Sequence, residues 1–260
     1  MKKIAFAALA ALITLASCGG SSAEKDQLKE KAQKEARRKS IKEYNARLEA
    51  SSNGQIDPKT GALCLDGVNH VLPGHYANNQ DITSIYAKSK VDVINDGAFT
   101  GCKNLKSIDV NSYTVGKDAF LDCTSLESAH LGESAWWLRE GSFAGCPKLR
   151  SVLLGICMKK IEDGAFEGSQ NIEELSVPNN MKKYFFRYFQ GCSNIKTLYL
   201  LVTSYYDVPN TCPITNYKQV TVYAPDALID QFKADAKWSK CGQILPLSKS
   251  KYYNATGNWK

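Results

Sequence analysis

Between residues 94 and 200 the apolar positions recur with a period of about 23. With Phe as origin, the copies stand at Phe99, Phe120, Phe143, Phe166 and Phe189, spaced 21, 23, 23 and 23 residues apart. Five residues before each stands Ile94, Val115, Leu138, Ile161 or Tyr184, and six after stands Leu105, Leu126, Leu149, Ile172 or Ile195. Each copy closes on two alternating aliphatics, such as Ile108 and Val110, Val152 and Leu154, or Leu198 and Leu200. Degenerate copies flank these, with Val71, Tyr76, Ile82 and Ile85 upstream and Tyr217, Val220 and Val222 downstream.

The closing L-x-x-I-x-V stretch alternates with period two and predicts a short strand, while the Gly- and Cys-bearing middle predicts a compact turn. A unit of this length cannot bury its apolar face alone, so it must stack on its neighbours. In-register stacking of about seven units gives one parallel sheet with strands ~4.8 Å apart, a rod roughly 30 Å long. Phe, the aliphatics and the small residue then form ladders inside a solenoid.

The units resemble the BspA-type leucine-rich repeat, which reads roughly I-x-x-x-A-F-x-x-C-x-x-L-x-x-I-x-x-P. Gly97-Ala98-Phe99, Asp118-Ala119-Phe120 and Gly164-Ala165-Phe166 carry its A-F core, and Val177-Pro178 its terminal Pro. The resemblance covers about residues 68–247, with Tyr188 in place of Ala and Ser169 in place of Cys as departures. It implies a mainly β, α/β-type right-handed repeat solenoid. It also implies adhesion or recognition at a bacterial envelope rather than catalysis.

The ends read as caps, which a solenoid needs over its bare terminal faces. Residues Gly61–Gly67 followed by Val68–Leu72 predict strand, Asp-Gly turn, strand. Pro225 opens a helical stretch with Leu228, Ile229 and Phe232 on one side, followed by Trp238. The expected boundaries are an N-terminal hairpin cap at 51–70, repeats at 71–222, a C-terminal helical cap at 223–247 and a tail at 248–260.

Upstream, Lys2 and Lys3 precede the apolar run Ile4–Leu15, the pattern of an export signal over residues 1–17. That run is too short to span a bilayer as a helix. Leu15-Ala16-Ser17-Cys18 resembles the lipobox of bacterial lipoproteins, which implies acylation of Cys18 with chains such as palmitate. Two or more chains give stable anchoring. Gly19 does not resemble an inner-membrane retention signal, so the outer membrane is expected, at the cell surface or on the periplasmic face. Residues 18–50 then form a stalk: 23–50 lack Gly and Pro, and Glu30/Lys34, Glu35/Lys39 and Glu43/Arg47 are ordered acid-first at i,i+4. As a helix this segment would reach roughly 40 Å.

Charge narrows the choice of partners. Of the formal +7, Lys2 and Lys3 supply two, and residues 23–50, with nine Lys/Arg against six Asp/Glu, supply three, leaving the body at +2. A nearly neutral exported body is a poor match for nucleic acid. Cys102, Cys123, Cys146 and Cys192 share one position of the unit, where buried free thiols are expected; pairs one unit apart, Cys102/Cys123 or Cys123/Cys146, are within conceivable disulfide reach. No Cys/His cluster has metal-ligand spacing, and no cofactor motif is present. His70, His75 and His130 are scattered, and Asp96, Asp118 and Asp163 occupy equivalent turn positions. None of this points to an enzyme.

Recognition must therefore use the outward columns. One runs Tyr86, Asp109, His130, Leu153, Ser176, Tyr199, Thr221, and its neighbour runs Lys88, Asn111, Gly132, Gly155, Pro178, Leu201, Tyr223. Tyr199, Leu201 and Tyr223 form either an exposed aromatic zone or a surface that the C-terminal cap covers. A further column, Tyr113, Trp136, Lys159 and Lys182, lies beside Thr114, Trp137, Lys160 and Lys183. The binding candidates are thus Tyr86, Tyr113, Trp136, Trp137, Lys159, Lys182, Tyr199, Leu201 and Tyr223. They suit a protein ligand, with a glycan or an assembly role in the envelope as alternatives.

Overall fold

The computed structural model describes residues 31–40, 43, 53–179, 181, 185–208, 214 and 216–252. The chain divides into two compact units, Met1–Ala50 and Ser51–Lys260. In the first, residues 31–40 are helical. Among the described residues no helix is long and apolar enough to cross a membrane. Cys18, Lys182, Lys183 and Tyr184 lie outside the described residues.

The second unit is built on a parallel ladder. The strands β1 (Gln55–Ile56), β2 (Ala62–Cys64), β3 (His70–Val71), β4 (Ser84–Ile94), β5 (Ser107–Val115), β6 (Ser128–Leu131) and β7 (Trp137–Leu138) lead into β8 (Ser151–Leu153), β9 (Lys160–Ile161), β10 (Glu174–Pro178), β11 (Thr197–Leu201), β12 (Thr221–Ala224) and β13 (Gln243–Pro246). The main path places Leu63, Ile85, Ile108, Ala129, Val152, Leu175, Leu198, Val222 and Ile244 side by side. The array is therefore two rungs longer than the periodicity suggests, because Leu63 and Ile244 belong to strands without a Phe-bearing turn. A second parallel ladder joins Val71, Ile94, Val115, Leu138 and Ile161, the column five residues before each Phe.

The hairpin at the N-terminal end is not formed across the Asp66-Gly67 turn. β1 pairs antiparallel with β2 across residues 57–61, whereas β2 and β3 both run parallel to β4. Apolar Leu63 must join the core row while Val71 joins the second row, and a two-stranded reversal at Gly67 could not satisfy both. At the other end, helix Ile229–Ala234 buries Phe232 against Tyr205 and Trp238, with centroids 5.2 and 5.8 Å away.

The turn side explains the repeat's remaining letters. Phe99, Phe120, Phe143, Phe166 and Phe189 stack in one file that Tyr76 begins, with successive centroids 5.1, 5.2, 5.1, 5.6 and 4.7 Å apart. The residues two before and two after each ring carry the coil through the left-handed region, as at Gly97 (φ 64°) and Gly101 (φ 70°). Asp118 and Asp122 fill the same places at φ 54° and 57° without glycine's freedom. Where Arg187 replaces the first such residue, the turn tightens into the 3-10 helix Phe185–Phe189 and the ring stack tilts to 29°.

The small residue three after each Phe closes a hydrogen bond. The Sγ of Cys102, Cys123 and Cys146 donates to the carbonyl of Tyr76, Phe99 and Phe120, at 3.1, 3.3 and 3.3 Å. Ser169 makes the same bond to Phe143 at 2.8 Å, so the Cys-to-Ser departure keeps the donor. All the described cysteines are free thiols, and the Cys102/Cys123 and Cys123/Cys146 pairs are not bridged. Burial pushes the Cys102 thiol up to about 11 and the Cys146 thiol to about 12.

Candidate functional site

The second ladder carries side chains that the interior does not require. Thr114, Trp137 and Lys160 are paired across β5, β7 and β9, and the residues before them, Tyr113, Trp136 and Lys159, are linked by backbone bonds of 3.0 Å each. Units held one strand apart bring like positions into contact, so the Tyr113 and Trp136 rings stack at 5.5 Å with planes 9° apart. Lys159 places its ammonium 5.5 Å from the Trp136 centroid, and Lys90 lies 5.4 Å from Tyr113 at the other end. Tyr113 is 40% exposed, Trp136 is half-buried, and Lys90 and Lys159 are exposed.

This row is a four-member stack of cation, ring, ring and cation. The outer ring faces are flanked by the two ammonium groups, so a sugar stacking there would have to displace a lysine. Available to a partner are the ring edges and two ammonium groups. Lys90 is shared with Asp92 at 3.2 Å, whereas Lys159 has no ion-pair partner among the described residues.

Trp137 behaves differently from its neighbour. Its Nε1–H donates to Glu162 at 3.1 Å, Lys160 lies 4.3 Å above the ring and itself pairs with Glu162 at 3.0 Å, and Arg139 sits 5.6 Å away while pairing with Asp96. Trp137 is thus held between Arg139 of its own unit and Lys160 and Glu162 of the next.

On the main sheet, of the two readings of the aromatic zone the covered one holds, so Tyr199 and Leu201 are corrected as exposed binding candidates. Tyr199 is 2% exposed and Leu201 6%; both are covered by Leu247 and Tyr252, which return over the sheet's outer face. Tyr223 is half-buried and stacks on Tyr199 at 5.1 Å. The unit spacing here is longer than 22, so Tyr223, not Thr221, continues the Tyr199 column. The tail expected from residue 248 is, through Tyr252, part of the fold. Tyr86, 41% exposed, stands on the open half of this face beside Asp109.

Glu174 and Ser151, which no sequence pattern singles out, lie with Tyr199 and His130 under that covering segment. Glu174 accepts from Ser151 at 3.0 Å, Tyr199 at 3.3 Å and Tyr252 at 3.2 Å, and pairs with Lys251 at 2.9 Å. Burial pushes the Glu174 carboxyl up, but Lys251, Ser151 and Tyr252 together hold it below its ordinary value. His130 contacts Ser151 and the Tyr252 ring, and burial lowers its pKa. Burial, then Glu174, raises that of the Tyr199 phenol.

Elsewhere, an open depression of about 590 Å³ lies between the Phe166 and Phe189 turns, lined by Asp163, Glu167, Arg187 and Tyr188. Arg187 bonds Asp163 across it. Among the described residues no group of three or more His, Cys, Asp or Glu could hold a metal ion.

Six copies of the BspA type Leucine rich repeat region model match residues 73–196. No curated protein matches the chain. Among solved structures, a leucine-rich repeat protein of T. pallidum is similar, with 18% identity, a TM-score of 0.45, and coverage of 62% of this chain and 89% of that one. A leucine rich cell surface protein from Faecalibacterium prausnitzii A2-165 is similar at 21% identity and a TM-score of 0.43, covering 55% of this chain and 39% of that one. A leucine-rich repeat protein from Bacteroides ovatus ATCC 8483 is similar at 22% identity and a TM-score of 0.40, covering 54% and 42%. The chain thus spans less than half the length of the last two. With six matched copies and its strand, Phe and thiol ladders in unit register, the chain carries a BspA-type leucine-rich repeat region over residues 73–196.

Proposed function

We propose that this chain is an envelope-anchored lipoprotein that recognises protein partners through its repeat solenoid, acting by binding rather than catalysis. In this reading Cys18 carries the lipid, residues 18–50 form the stalk, and the outer membrane presents the body at the cell surface. The observation that carries the reading is the Lys90–Tyr113–Trp136–Lys159 stack. Packing dictates the inward positions of a solenoid, so recognition must be written on the outward ones. A rigid aromatic pair loses little side-chain entropy on binding and tends to become a hot spot. With its outer faces flanked by lysines, its ring edges and ammoniums suit a protein loop that brings carboxylates and apolar side chains together.

The test is binding of the full chain to an array of purified host-surface and envelope proteins. Trp136→Ala is expected to weaken the strongest interaction by about 2 kcal/mol or more, while Ser107→Ala leaves it unchanged. Normal binding by Trp136→Ala, together with loss on substitution in the stalk, would make the solenoid a scaffold and the helix the contact.

A further inference from the structure

The outer face of the main sheet closes over its C-terminal half in a way that a repeat does not need. Elsewhere on this face Tyr86 and Asp109 are exposed, and Ser84 and Ser107 are half-buried with no segment returning over them among the described residues. Around Glu174 the face instead keeps Leu153 and Tyr199 at 2% exposure, and what keeps them dry is a segment from the far end of the chain. Leu247 sits on the apolar patch. The Tyr252 ring meets Tyr199 and His130 edge-on, with centroids 5.3 and 5.4 Å away. Its hydroxyl and the Lys251 ammonium converge on opposite oxygens of one carboxylate, at 3.2 Å to Glu174 Oε2 and 2.9 Å to Oε1. The Lys251 ammonium also lies 4.8 Å from the Tyr252 centroid, so the two side chains present themselves as one stacked unit.

A half-buried carboxylate flanked by aromatic walls, reading an ammonium and the phenol next to it in sequence, has the chemistry of a peptide-recognition site. We propose that the outer face around Glu174 is a binding site for peptide segments presenting a basic residue followed by tyrosine. The chain's own Lys251–Tyr252 occupies it in the resting protein, and a partner segment of the same chemistry engages by displacing it. The contacts favour this over a purely structural cap. The end of the solenoid is already closed by Phe232 and Trp238, and Lys251–Tyr252 reach back past it to strands β8 and β10. The segment is tethered at its base where Ser248 bonds Asp226, so release of its last residues need not disturb the end cap. The inference is independent of the Trp136 row.

The experiment uses a fluorescent peptide of residues 247–260, LSKSKYYNATGNWK, titrated into the full chain and followed by anisotropy. The wild-type face is self-occupied, so its apparent affinity is reduced by the fraction of molecules that are open; about tenfold or more is expected. A full chain bearing Lys251→Ala and Tyr252→Ala should bind the peptide at least that much more tightly. Adding Glu174→Gln to this variant should abolish the gain, as should a peptide with alanine at the positions of Lys251 and Tyr252. Equal binding by the wild-type and double-substituted chains, or binding by neither, overturns the proposal. Should the double variant fold poorly, hydrogen exchange on the wild-type chain decides. The amides of residues 250–252 should exchange at least about tenfold faster than those of β10 by local opening, and faster again in Glu174→Gln. Exchange as slow as in β10 would make the segment a fixed part of the core and overturn the proposal.

Discussion

Replacing Phe143 by Ala removes the middle ring of the turn-side file. Phe143 is fully buried between Phe120 and Phe166, at 5.1 and 5.6 Å, with planes 9° and 6° from parallel. Loss of the buried phenyl forfeits about 2 kcal/mol of transfer free energy. Each broken stack forfeits about 0.5–1.5 kcal/mol more. The void cannot collapse easily, because the coils on either side are pinned: Phe120 donates its N–H to Ser142 at 2.9 Å and Phe143 its own to Ala165 at 2.8 Å. The terms together give about 3–5 kcal/mol, the range for a buried Phe truncated to Ala. Equilibrium urea unfolding of the full chain, followed by tryptophan fluorescence, measures it, and Phe143→Leu should recover part of the loss. A loss below about 1 kcal/mol with an unchanged m-value would mean that the ring is not sandwiched and that the ladder account of stability is wrong.

Four further outcomes are expected. Ser142 is fully buried with no hydrogen-bond partner for its hydroxyl among the described residues, at the position that Ala98, Ala119 and Ala165 fill in other units; Ser142→Ala should therefore stabilise by about 1 kcal/mol in the same urea assay. In the native protein iodoacetamide should label exposed Cys157 first, while Cys102, Cys123 and Cys146, buried and with raised pKa, label only on unfolding; early labelling of those three would contradict their hydrogen-bonded burial. Burial favours neutral His130, so its folded pKa lies below the ordinary 6.5: the segment over it is unaffected above that pH and loosens as pH falls through it, when the released state, with His130 exposed and Lys251 gone from beside it, takes up a proton. Hydrogen exchange at residues 250–252 should speed up on acidification, and His130→Gln should remove the response in that window, leaving at lower pH the loss from protonating Glu174, whose pKa is also depressed. Finally, Cys18→Ser should move the protein from the membrane to the soluble fraction with an unchanged melting curve, and persistent detergent dependence would refute lipid anchoring.

What the sequence reveals follows the residues that a ladder constrains. Phe, the aliphatics and the Cys/Ser position each face identical neighbours in adjacent units, so their spacing announces the solenoid and both of its parallel rows. Leu63 and Ile244 escape notice because their strands lack the Phe and thiol that mark a unit. Lys90 is hidden by the irregular register between Tyr86 and Lys90 in β4, which sets it over Tyr113 although no periodic count places it there. Tyr223 is displaced by the longer last spacing. The site around Glu174 is illegible for a different reason: Tyr252 reaches it from 78 residues away, and no repeat period encodes that contact. Trp136 was legible as an outward residue, but the flanking of both its faces was not.

The two extremes of the main sheet also determine whether copies can join. A parallel coil is a heterologous surface: its last strand matches the first strand of another copy, and repeated docking would generate an open filament. Here neither extreme offers a matching partner. At one, β1 runs antiparallel and is two residues long, so an incoming parallel strand meets reversed polarity. At the other, β13 ends at Pro246, which has no N–H to donate, and the chain turns away through Leu247–Lys249. Internal units can therefore be duplicated or lost without altering the ends that stop growth, and head-to-tail polymerisation would require opening both ends, β2 by deleting residues 53–61 and β13 by removing Pro246 and the segment that follows it.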